Sequence, residues 1–120
     1  MAYVISNIGS FGDNVFKVGL TRRLEPLDRV KELGNASVPF DFDVHAMIYS
    51  ENAPELERSL HQSFTQYQVN KVNSRKEFFR IPISAIKDKI DGLGYEIHWT
   101  MKAEAIQYRE SVQIEKKLDN

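Results

Sequence analysis

"AYVISNIGSFGDNVFKVGLTRR", Ala2 to Arg23, is the stretch whose reading decides the fold. Two runs rich in Val, Ile, Tyr and Phe, residues 2–6 and 15–20, flank a polar segment with Asn7, Gly9, Ser10, Gly12, Asp13 and Asn14. β-Branched and aromatic side chains suit a pleated, half-buried surface, whereas Gly, Asn, Asp and Ser are turn formers. The stretch predicts a β-hairpin with a connection longer than the two-residue type.

The hydrophobic period then switches along the chain. Pro26 suits a first helical turn and Gly34 a stop, which predicts a helix with Leu27, Val30 and Leu33 inward and Arg29 on a flank. Phe40, Phe42, Val44, Ala46 and Ile48 alternate with Asp41, Asp43, His45, Met47 and Tyr49, the period of a strand. Asn52 with Glu55 three residues on reads as a capping box, opening a helix whose apolar face is Leu56, Leu60, Phe64 and Tyr67. Residues 77–81 predict a short strand before Pro82, and a small helix follows with Ile86, Ile90 and Leu93 on one face and Gly94 as its stop. Tyr95 to Trp99 predict one more strand. Met101 to Leu118 predict a charged helix with a thin stripe of Met101, Ala105, Tyr108 and Val112. The order ββαβαβαβα gives a mixed α/β (α+β) domain: a small antiparallel sheet flanked by helices, with an additional C-terminal helix.

Bulk properties exclude several classes. A chain of 120 residues fits one domain with a single core. No apolar run approaches the roughly 18 residues of a membrane span, and no signal-peptide pattern opens the chain, so no membrane partner and a cytoplasmic setting are expected. Without cysteine there is no disulfide framework, thiol catalysis or zinc–cysteine site. The net charge of −1 argues against non-specific coating of nucleic acid, yet the charges are grouped. Lys17, Arg22, Arg23, Arg29 and Lys31 fall within one short span, and Arg75, Lys76 and Arg80 form a second basic group. Such patches can bind phosphate at near-zero net charge, and they also serve as ordinary solvated faces.

Glu57 and His61, four apart, share one helix face beside the apolar stripe. A carboxylate on a rigid helix can hold a Mg²⁺ ion that keeps several waters, or the pair can be a plain surface contact. Arg22, Arg23 and Arg29 cross a loop-to-helix junction, and arginine grips phosphate through a bidentate fork. Tyr3 at a strand start reads by itself as packing, half buried, and Asn70 and Asn73 read as turn residues. The sequence has no GxxxxGK[ST], GxGxxG, HExxH or GxSxG motif, and His45, His61 and His98 lack metal-ligand spacing.

In combination and in order, the pieces resemble the GIY-YIG nuclease superfamily, in its phage-associated branch, over roughly residues 2–90. Ala2-Tyr3-Val4 in "AYVI" stands for the first family tripeptide and Phe16-Lys17-Val18-Gly19 in "FKVGLT" for the second. "DRVKEL" brings the arginine of the first helix, Arg29. "ELERSLHQSF" brings Glu57 and His61, and "YQVNKVNSRKEFF" the asparagine-containing segment. The resemblance implies hydrolysis of nucleic-acid phosphodiesters with one divalent ion, Mg²⁺ or Mn²⁺. It implies that Glu57 ligates the metal, that Tyr3 activates the attacking water directly or through a neighbour, and that Arg29 steadies the phosphate. His61 would assist proton transfer or bind a phosphate oxygen. Lys17, Arg22, Arg23, Asn70, Asn73 and Arg75 would contact nucleic acid.

Three departures stand out: Phe16 replaces the second family tyrosine, Leu20 replaces a lysine, and either Asn70 or Asn73 is the family asparagine. The resemblance divides the chain into a nuclease unit, residues 1–95, and a strand–helix extension, residues 96–120. Because Tyr3 directly follows Met1-Ala2, it suggests either the C-terminal part of a longer protein or a compact stand-alone version. DNA is the expected partner, with RNA open, and homo-oligomerisation through the terminal helix is also open. The competing readings are a catalytically degenerate nucleic-acid-binding module and an interaction domain using that helix.

Overall fold

The computed structural model describes residues 1–36, 38–73 and 77–118. Its centre is a four-stranded antiparallel sheet in the order β3-β1-β2-β4. The strands are β1 (Ala2–Ser6), β2 (Val15–Leu20), β3 (Asp43–Ile48) and β4 (Phe78–Arg80). β1 and β2 form the expected hairpin, with Tyr3 opposite Gly19 and Ile5 opposite Lys17. Its connection holds a one-turn helix, α1 (Ile8–Phe11), started by Asn7, whose side chain accepts the Ser10 N–H. Gly12 at φ 83° and Asn14 at φ 57° then turn the chain into β2, a conformation that only glycine and a few polar residues adopt easily.

Period-2 alternation divides the side chains between two faces. Ala2, Val4, Phe16, Val18, Ala46, Ile48 and Phe79 face the main core, closed by α3 (Ala53–Ser63) and α4 (Ile83–Gly92) through Leu56, Leu60, Ile86 and Ile90. Tyr3 and Ile5 face the other way, into a smaller core with Val30 of α2 (Pro26–Asn35). Asn52 caps α3 by accepting the Glu55 N–H, which confirms that half of the capping-box reading.

Four local expectations are corrected. Leu27 is 57% exposed, because only the later turns of α2 reach the β1 layer, through Val30 and Leu33. Tyr67 lies beyond α3, in a 3₁₀ turn at Thr65–Tyr67, and is exposed. Tyr95–Trp99 form no strand. Tyr95, Ile97 and Trp99 do turn alternately onto the main core, but the segment is fixed to β3 by a Thr100 N–H to His45 carbonyl bond instead of a ladder. The last helix, α5 (Ile106–Leu118), starts later than Met101 because Ala105, at φ 47°, turns the chain and donates its N–H to Asp43 Oδ2. No described helix is long and apolar enough to cross a membrane.

Candidate functional site

β4 pairs with β2 only from Val15 to Lys17, so the Val18–Leu20 end of β2 is left without a strand neighbour on that side. Two elements meet at the opening. The Val18 N–H donates to the Glu77 carbonyl at 3.2 Å, holding the entry to β4. The Val18 carbonyl accepts from His61 Nε2 at 2.8 Å, holding α3. Because a carbonyl can only accept, Nε2 is the donor of this bond, and in the neutral ring the lone pair lies on Nδ1.

Glu57, one turn before His61 on α3, completes a cluster. Ligand atoms of Glu57, His61 and Glu77 all lie within 4.8 Å of one another, and each residue is half buried. These three groups could hold one metal ion. Burial first, and then the Glu77 carboxylate, push the Glu57 carboxyl above its ordinary range, while His61 and Lys17 oppose the shift. Two carboxylates this close repel unless a cation lies between them.

Tyr3 reaches the same place from β1. It is 2% exposed, more deeply buried than the half-buried strand residue expected. Its ring lies flat over Gly19, so closely that a Cβ there would fall 2.4 Å from the hydroxyl oxygen. Burial, followed by Glu77, raises the Tyr3 hydroxyl above the ordinary tyrosine range, and the Arg29 guanidinium works in the opposite direction. Arg29, on the exposed flank of α2 as expected, also pairs with Glu32 at 3.5 Å. Glu32 is shared with Arg23 at 2.6 Å, and Arg22 is exposed.

Lys17 sits on the sheet face that carries Tyr3 and Ile5. Its Nζ is 3.2 Å from Glu77 Oε2 and 5.2 Å from the centre of the Phe78 ring. Phe16 points to the opposite face, 6% exposed in the main core and edge-on to His45. Strand alternation turns position 16, where Phe16 replaces the second family tyrosine, away from Tyr3 and turns position 17 toward it.

The structure therefore brings Tyr3, Lys17, Arg29, Glu57 and His61 together. Asn70 and Asn73 lie in an exposed loop, where Asn70 Oδ1 accepts the Val72 and Asn73 N–H groups, the turn chemistry that was the simpler reading. Arg75 lies outside the described residues. Sequence reasoning missed Glu77, although it stands in "RKEFF". The only local signal was an acidic residue directly ahead of a short apolar strand.

A family model described as the T5orf172 domain matches residues 1–94, and that family is associated with nuclease-like phage proteins. No curated protein and no solved structure matches the chain.

Proposed function

The chain belongs to the T5orf172 domain family, and from that premise we propose that it is a metal-dependent endonuclease of GIY-YIG type, cutting DNA phosphodiesters beside Glu57. The observation that carries this reading is the convergence of Glu57, His61 and Glu77 within 4.8 Å, next to a buried tyrosine and an arginine. Two carboxylates and an imidazole nitrogen fit one divalent ion of the first transition row. Mg²⁺, which prefers oxygen ligands and retains its waters, is accommodated less well than Mn²⁺. When bound, the ion would polarise a phosphoryl oxygen and lower the pKa of a water.

The protein's own groups divide the remaining work. Burial keeps Tyr3 a hydroxyl near neutral pH, which suits it to orient the attacking water by a hydrogen bond and leaves proton removal to a neighbour. Arg29 is held beside that hydroxyl by its contact with Glu32, placed to meet a phosphate oxygen as charge builds. A preorganised donor of this kind typically contributes about 10²–10³ in rate. Lys17, Arg22 and Arg23 extend the positive surface along which a phosphate backbone would run. The nuclease unit is residues 1–95, and Thr100 and Ala105 of the following extension bond to it through His45 and Asp43.

Incubation of supercoiled plasmid with Mn²⁺, with Mg²⁺ and with a chelator tests the reading. Nicking in Mn²⁺, weaker nicking in Mg²⁺ and none with chelator is expected. Salt-sensitive DNA binding without cutting in any divalent metal would replace it with a binding-only function.

A further inference from the structure

Beside the acidic cluster, the Tyr3 face of the sheet opens into a cleft of about 310 Å³ whose walls include Phe11, Lys17, Leu33, Phe42 and Phe78. Three separate elements bring its rings together. Phe11 ends α1, Phe42 precedes β3, and Phe78 begins β4. The Phe11 and Phe78 rings are 4.8 Å apart between centres, and Phe11 and Phe42 are 6.3 Å apart. None of the three belongs to the fully buried core, and Phe11 remains 38% exposed at the end of a four-residue helix. The cleft volume lies at the lower end of the range for small-molecule sites, about 300–1,000 Å³.

Among the described residues of its walls one is a cation, Lys17, and it links the cleft to the proposed cutting site. Lys17 Nζ touches Glu77 on one side and overlies the Phe78 ring on the other. A ligand entering here would meet aromatic surfaces in the cleft and a positive charge at its mouth, toward Glu57 and His61. That pairing matches a planar base carried on a phosphate. A base inside an intact duplex has both faces covered by its neighbours, so only an unstacked one could present a face to Phe11.

We propose that this cleft receives one unstacked nucleobase of the strand bound at Lys17, so that the substrate is single-stranded, flapped or locally opened DNA. The proposal rests on the nucleic-acid reading of the neighbouring site and specifies its substrate class.

The test is equilibrium binding of the whole chain, without divalent metal, to three probes: a short thymidylate single strand, an abasic strand of equal length, and a duplex. The base-bearing strand should bind more tightly than the abasic one by about fivefold or more, the usual effect of one stacked base. It should also bind more tightly than the duplex. Phe11→Leu keeps apolar bulk but has no π face and should bring the preference close to unity, while Phe11→Tyr should retain it. Phe42→Leu serves as the second variant, and thermal unfolding verifies each fold. Equal binding of base-bearing and abasic strands by the unaltered protein would overturn the proposal. So would a preference that survives in folded Phe11→Leu or Phe42→Leu. Base preference without cleavage in any metal would defeat the nuclease reading and leave the cleft assignment standing; cleavage without base preference would do the reverse.

Discussion

The His61 Nε2–H donates to the Val18 carbonyl at 2.8 Å, and this one bond ties the α3 side of the Glu57–His61–Glu77 cluster to β2. Val18 also donates its N–H to Glu77, so one β2 residue places a group from α3 and a group from the β4 entrance within reach of each other. Backbone hydrogen bonds in a sheet have fixed geometry, and a ligand set hung on them is preorganised before any ion arrives.

Glu77→Gln should weaken Mn²⁺ binding by at least about tenfold, the scale of losing a supporting or ligating group. The fold should tolerate it, because the substitution also removes a charge that repels Glu57. Calorimetric titration of Mn²⁺ into both proteins checks this, and equal affinity would remove Glu77 from the site.

Gly19→Ala places a methyl group where the Tyr3 ring lies. Overpacking of this kind costs about 1–3 kcal/mol, which urea denaturation would register. Any displacement of the ring should also lower DNA cleavage. Unchanged stability would mean that the Tyr3 ring yields freely.

Asn52→Ala removes the side-chain acceptor that starts α3. The expected loss is about 1 kcal/mol of stability. Metal affinity should fall less than in Glu77→Gln, because Glu57 and His61 lie beyond the first turn of the helix. A thermal scan and the same Mn²⁺ titration compare the two effects.

His45 gives the fold a pH dependence away from the site. Its Nδ1–H donates to the Thr100 carbonyl at 2.6 Å, which leaves Nε2 to accept from the Ser6 hydroxyl at 2.7 Å, the neutral tautomer. Burial lowers the His45 pKa, against the Thr100 carbonyl and Asp43, which both act to raise it. A depressed folded pKa means that the unfolded chain takes up the proton first. This contribution to stability is full above the unfolded value near 6.5 and is lost as pH falls through the folded value. Thermal midpoints at falling pH should therefore decline more steeply in the unaltered protein than in His45→Gln. Parallel declines would contradict the assignment.

The sequence showed what periodicity can show. The strand at residues 15–20 follows from its residue types and the face shared by Glu57 and His61 from spacing, while the alternation over residues 40–49 runs three residues ahead of the start of β3 at Asp43. Glu77 could not be found in this way. Its proximity to Lys17, sixty residues earlier, exists only because β4 pairs with β2 in the register Lys17 opposite Phe78.

Tyr95, Ile97 and Trp99 show the complementary limit. Their alternation correctly gave the side chains that turn inward, but alternation does not supply a partner strand, and the segment joins β3 through one backbone bond. Phe16 shows a related limit: a position in the sequence does not by itself say which face of β2 its side chain takes. The register of Ile5 opposite Lys17 puts Lys17 on the sheet face that carries Tyr3.

The most direct measurement is the rate at which Glu57→Ala nicks supercoiled plasmid in Mn²⁺, beside the unaltered protein at matched fold. Glu57 is half buried with its carboxyl held above the ordinary range, so alanine there should leave thermal stability intact. Nicking should fall by at least about 100-fold, equivalent to roughly 3 kcal/mol of barrier. Undiminished nicking by the folded variant would contradict the account.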